Sequence, residues 1–139
     1  MLKKIALLGL VALSCIAARA QYTVKVVLDV IPPKHPDDAV YLMGDYNQWN
    51  PNDPNSQFVK DASGKLVMTA ENVPPNTYEI KVTRGTKETV ECAADGKAID
   101  NRKVVVGSDT TFHIAIAGWT DDFPKTTYLN RKVVPSSAR

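Results

Sequence analysis

Apolar and polar positions alternate with a period of two along most of the chain after residue 21, and turn residues interrupt the alternation at short intervals. Val24, Val26, Leu28 and Val30 alternate with Thr23, Lys25, Val27 and Asp29, which predicts a strand with one strongly apolar face. Ile31-Pro32-Pro33 ends it, because proline has no N–H to give to a ladder. Ala39 to Met43 predicts a second strand closed by Gly44-Asp45. The stretch Tyr46 to Ser56 holds Pro51, Pro54 and four Asn, and reads as a loop. Gln57 to Lys60 and Lys65 to Ala70 flank Asp61-Ala62-Ser63-Gly64, a hairpin connection. After the Pro74-Pro75-Asn76 turn, Tyr78, Ile80 and Val82 alternate with Glu79, Lys81 and Thr83. Arg84-Gly85 turns the chain into a strand from Lys87 to Cys92, and Ala94-Asp95-Gly96 turns it again. Arg102 to Val106 and Thr111 to Ala117 complete the set. About seven to eight short strands with no amphipathic helix between them predict an all-β fold, an antiparallel β-sandwich.

The two ends differ from this pattern. Met1 to Lys4 is basic, Ile5 to Ala17 is almost wholly apolar, and Ala18-Arg19-Ala20 places small residues at the cleavage-recognition positions before Gln21. That order predicts a secretory signal over residues 1–20, cleaved between Ala20 and Gln21, and a secreted or periplasmic protein. A competing reading takes Leu13-Ser14-Cys15 as a lipid-attachment site with Cys15 acylated. The apolar run is too short for a membrane span. Residues 21–120 then form the sandwich, and residues 121–139, polar and opened by Asp121-Asp122 and Pro124, read as a loosely held tail from which Tyr128, Val133 and Val134 could dock on a sheet edge.

Charge follows from the same division. The chain of 139 residues carries 17 Lys plus Arg against 15 Asp plus Glu. Lys3, Lys4 and Arg19 lie in the leader, so the remainder has 14 basic and 15 acidic side chains. A nearly neutral domain lacks the electrostatic footprint that binding a phosphate backbone requires, which excludes nucleic acid as the expected partner. Cys92 is left alone without Cys15, and the expectation is a buried, inert thiol.

Enzyme signatures are sparse. His35 and His113 have no Cys or His at metal-ligand spacing, so no metal and no cofactor is expected. His113 sits between Phe112 and Ile114 as a sheet-face residue. Asp37-Asp38 and Asp121-Asp122 lack the alternate acids and glycine pivot of a calcium loop and read as solvated loop charge. Glu88 and Glu91, as a glycosidase-like pair, would point to opposite faces of a strand. A non-catalytic protein is expected.

The informative segment is Val40-Tyr41-Leu42-Met43-Gly44-Asp45-Tyr46-Asn47-Gln48-Trp49-Asn50-Pro51. Trp49 stands between polar neighbours in a Pro/Asn-rich loop, three residues after Tyr46. Such a ring either closes one end of the core or serves as a stacking platform for the C–H face of a sugar, with amides and charged groups taking the hydroxyls.

The run VYLMGDYNQWNP, the later YEIKVTRGTKETVE and then DGKAIDNR resemble the starch-binding modules of carbohydrate-binding family 20 and the glycogen-binding domain of the AMP-activated protein kinase beta subunit. The likeness runs from about Tyr22 to Trp119. It implies an immunoglobulin-like sandwich that binds an α-glucan polysaccharide, with Trp49 stacking on glucose and Lys81 and Asn101 hydrogen-bonding its hydroxyls. Tyr46 is a candidate second aromatic. Members of the family pair the first Trp with another, and this chain has Lys87 or Cys92 there, depending on the alignment. A sandwich adaptor that binds a partner enzyme or surface complex through a degenerate sugar site is the alternative.

Overall fold

The computed structural model describes residues 19–125. The expected leader, with the Cys15 attachment site, falls almost wholly outside that range, as do Tyr128, Val133 and Val134. Nine strands form: β1 (Tyr22–Val30), β2 (Tyr41–Gly44), β3 (Val59–Lys60), β4 (Leu66–Val73), β5 (Asn76–Thr83), β6 (Glu91–Cys92), β7 (Arg102–Val106), β8 (Thr110–Ala115) and β9 (Gly118–Trp119). Single 3₁₀ turns are the only helical geometry among the described residues. A four-stranded sheet of order β3-β4-β1-β8 packs on a three-stranded sheet of order β2-β5-β7, and β6 pairs with β9 as a separate ribbon. The protein is an all-β sandwich.

The period-two residues fill the space between the sheets. Val24, Val26 and Leu28 of β1, Met68 of β4 and Ile114 of β8 meet Leu42 of β2, Ile80 and Val82 of β5, and Val104 and Val106 of β7. Each such side chain contributes roughly 1.5–3 kcal/mol by leaving water. The Asp61–Gly64 connection closes as the sequence predicts: the Asp61 N–H donates to the Lys65 carbonyl at 2.8 Å, and Gly64 takes the positive φ of 84° that the turn needs. Pro74-Pro75 joins β4 to β5 across the two sheets.

Four expectations change. Val30 is 54% exposed rather than core, because the β1–β8 register shifts between Leu28 and Val30 and turns the last residues of the strand. Val27 is buried instead, opposite Val67 on the outer face. The β1–β8 pair is parallel within an otherwise antiparallel set, because the chain crosses from one sheet to the other between β7 and β8. Lys87 to Cys92 is not one strand: Lys87–Thr89 is a 3₁₀ turn, with the Thr86 N–H donating to Thr89 Oγ1 at 3.1 Å, and only Glu91–Cys92 pairs.

The fourth change concerns the acids at the loop ends. Trp119 is wholly buried, and the Arg84 guanidinium lies 5.2 Å from its ring centroid. Arg84 donates to Asp38 at 3.0 Å and to Asp121, while His35 Nε2 stands 2.7 Å from Asp122. These aspartates are ion-pair partners that tie the 31–39 loop to residues 120–122, not free loop charge.

Candidate functional site

The loop after β2 is shaped from its first residue. Gly44 packs so closely against β5 that a Cβ there would occupy the place of the Glu79 carbonyl oxygen. Asp45–Asn47 forms a 3₁₀ turn, and Asp45 Oδ2 accepts from the Glu79 N–H at 3.2 Å, which fastens the turn to β5. The Gly44 carbonyl accepts from the Trp49 N–H at 2.8 Å. Gln48 and Trp49 are both left-handed, each with φ of 57°, a conformation that residues with a Cβ seldom adopt.

Asn47 is the centre of this loop. Its Oδ1 accepts from the Gly44 N–H at 2.9 Å, and its Nδ2 donates to the Leu42 carbonyl at 3.3 Å and to Asp53 Oδ2 at 3.1 Å. Asp53 also accepts from the Asn55 N–H and the Ser56 hydroxyl. Burial pushes the Asp53 carboxyl up, but these hydrogen bonds outweigh it and hold the group below the usual aspartate range. Asn47 and Asp53 hold the loop together, and the spacing of aromatic and basic side chains did not single them out. Their signals were the Asn three residues after Gly44 and an Asp before Pro54 at the head of a 3₁₀ turn.

Three of the four candidate residues come to one level of the three-stranded sheet. Lys81 pairs with Met43, one residue before Gly44, whose carbonyl holds Trp49. The β5–β7 ladder ends at Ile80 and Arg102, so Lys81 and Asn101 each stand one residue past its last pair. Ile80 and Val82 are buried in the core, which turns Lys81 to the outer face. Trp49 and Lys81 are half-buried and Asn101 is exposed. Among the described residues Lys81 forms no ion pair.

Tyr46 is placed differently. Its hydroxyl lies 2.7 Å from Ser56 Oγ and 3.1 Å from the Leu42 carbonyl, and its ring lines a cleft of about 260 Å³ between the sheets with Val24, Leu42, Met68 and Ile80. Burial pushes its pKa up to about 12. The phenol is a strut of the loop.

The remaining candidates divide cleanly. Lys87 is exposed on the 3₁₀ turn before β6. Cys92 is a buried free cysteine whose thiol is pushed up by burial, matching the inert thiol expected. Glu91 is buried: it accepts from Arg102 Nη2 at 2.7 Å and from the Val82 N–H at 2.8 Å. His113 lies on the sheet face, 3.0 Å from Asp29, as expected. His35, Asp121 and Asp122 bring ligand atoms within 4.8 Å of one another, a proximity that their separation along the chain hides. The Asp121 carboxylate there is engaged by Arg84.

No family model matches the chain. It is similar to an alpha-amylase of Niallia circulans, 32% identical over 93 residues that make up 66% of this chain and 7% of that protein. It is also similar to an amylopullulanase of Thermoanaerobacter thermohydrosulfuricus, 33% identical over 118 residues, covering 73% of this chain and 8% of that protein. The chain therefore spans less than a tenth of the length of either relative, both of which are named as amylolytic enzymes.

Proposed function

We propose that residues 21–120 form a non-catalytic α-glucan-binding module of starch or glycogen type, exported by way of the leader at residues 1–20. One observation supports this reading most: Lys81 and Asn101 each stand one residue past the last β5–β7 pair, Lys81 opposite Met43, and the next residue, Gly44, holds the Trp49 N–H on a loop fastened to β5. An indole ring supplies the apolar face on which a glucose ring stacks, and an ammonium and an amide supply donors and an acceptor for its hydroxyls. The likeness to short stretches of two amylolytic enzymes fits an accessory role, because the matched part is too small a share of either to be the whole enzyme. A nearly neutral domain also suits an uncharged polymer.

Retardation on an amylose affinity gel tests the reading. The wild type is expected to be retarded and Trp49→Ala to migrate freely, while equal mobility of the two would overturn it. Lys81→Ala and Asn101→Ala are expected to weaken retention partially, by roughly tenfold or less each, if each removes about one hydrogen bond. The adaptor reading draws on Lys87, exposed where a second stacking ring is expected. A partner that co-purifies with Trp49→Ala, together with no glucan retention by the wild type, would favour it.

A further inference from the structure

The α-glucan reading assigns the site to the residues that would touch sugar. Resting on that reading, we propose that Asn47 is the positioning residue of the site, holding the Trp49 ring in its binding orientation through the Asn47–Asp53 hydrogen bond.

Trp49 is reached from the end of β2 through a loop that runs against backbone preference. Gln48 and Trp49 are consecutive left-handed residues with side chains, and neither is glycine. Such a pair persists only where surrounding contacts over-determine it. The contacts are few and converge on one amide. Asn47 ties Gly44 and Leu42 on one side to Asp53 on the other, and its carbonyl accepts from the Asn50 N–H at 3.2 Å, just beyond Trp49. Asp53 is fixed in turn by Ser56 and the Asn55 N–H, and Ser56 by Tyr46. The loop is thus clamped before and after the ring, and Asn47 carries the side-chain link to Asp53 between the two clamps, beside the Tyr46–Ser56 and Trp49–Gly44 bonds. Preorganisation of this kind raises affinity by removing an ordering cost from binding. Asn47 itself need touch no ligand.

The identity of the side chain matters more than its size. Aspartate has the same shape and keeps an oxygen for the Gly44 N–H, but it cannot donate to the Leu42 carbonyl or to Asp53, and it sets two carboxylates against each other. In Asn47→Asp/Asp53→Asn the donor and acceptor exchange places, so the link between the two clamps re-forms.

The test uses protein labelled with 5-fluorotryptophan, which gives one fluorine resonance for Trp49 and one for Trp119, assigned with Trp49→Phe. Titration with maltoheptaose accompanies each spectrum. Asn47→Asp is expected to shift or broaden the Trp49 resonance, to leave that of the core residue Trp119 in place, and to weaken maltoheptaose binding tenfold or more. Asn47→Asp/Asp53→Asn is expected to recover at least half of the lost affinity on a logarithmic scale and a narrow Trp49 line. An unchanged Trp49 resonance in folded Asn47→Asp, or wild-type affinity, overturns the proposal. Failure of the exchange variant to recover either signal overturns the part assigned to Asp53. If the Trp119 resonance also collapses in Asn47→Asp, then Asp53→Asn alone is decisive by the same criteria. Should the wild type bind no maltoheptaose, the α-glucan reading fails, while the fluorine spectra still decide whether Asn47 orders Trp49.

Discussion

At Gly44 a single hydrogen atom is all that fits. An added methyl would meet the Glu79 carbonyl oxygen and stand 3.0 Å from an Ile80 methyl and 3.1 Å from the Tyr46 ring. Backbone cannot yield cheaply there, so Gly44→Ala is expected to destabilise the domain by roughly 1–3 kcal/mol, read as a lower urea midpoint. Tyr46→Phe separates strut from platform. Removing the hydroxyl leaves the Leu42 carbonyl with Asn47 alone and Ser56 with Asp53 alone, at a cost of about 1 kcal/mol, while amylose retention stays close to wild type. A loss of retention with no loss of stability would contradict this division. Trp49 was legible in the sequence because it stood alone among polar residues. The role of Tyr46 was not, because its partner Ser56 lies ten residues on, across two 3₁₀ turns that no periodic pattern announces.

At the scale of the element, alternation located the strands but not their partners. Every long strand rests on residues whose period-two spacing was visible, as in Tyr78, Ile80 and Val82. Pairing direction was hidden, since β1 reads the same whether β8 lies beside it parallel or antiparallel. Glu91 shows what an element end requires. The β5–β7 ladder stops at Ile80, so the N–H of Val82 has no strand to donate to, and the Glu91 carboxylate takes that place while Arg102 balances its charge. In the sequence Glu91 reads only as an acid three residues from Glu88. Glu91→Ala leaves the Val82 N–H without a partner and Arg102, itself a quarter exposed, with the Ala115 carbonyl but no counter-charge, and is expected to cost roughly 3–5 kcal/mol. Chemical denaturation measures it, and a cost under about 1 kcal/mol would mean that water replaces the carboxylate freely.

The sheets alone do not hold the whole molecule. Aspartates fasten its loops to one another: Asp29 of β1 to His113 and Lys65, Asp53 to the Trp49 loop, Asp61 across its own hairpin, and Asp122 to His35. Hydrogen bonds from His113 and Lys65, from Ser63 and from His35 hold Asp29, Asp61 and Asp122 below the ordinary aspartate value of 3.8, and Asp53 lies below it as well. An acid with a depressed pKa in the fold binds its proton more tightly once unfolded. Its contribution is therefore complete above 3.8 and is lost as pH falls through that value toward the folded pKa. The thermal midpoint is expected to fall with increasing steepness below about pH 4. Growing positive charge also destabilises the domain in acid, but it does so equally in a variant that lacks one of these carboxylates. Asp53→Asn should therefore start lower at pH 5 and lose less between pH 4 and pH 2 than the wild type, so that the two curves converge. Parallel curves would mean that Asp53 titrates alike in the folded and unfolded chain, and that its ionisation adds nothing to the stability of the domain.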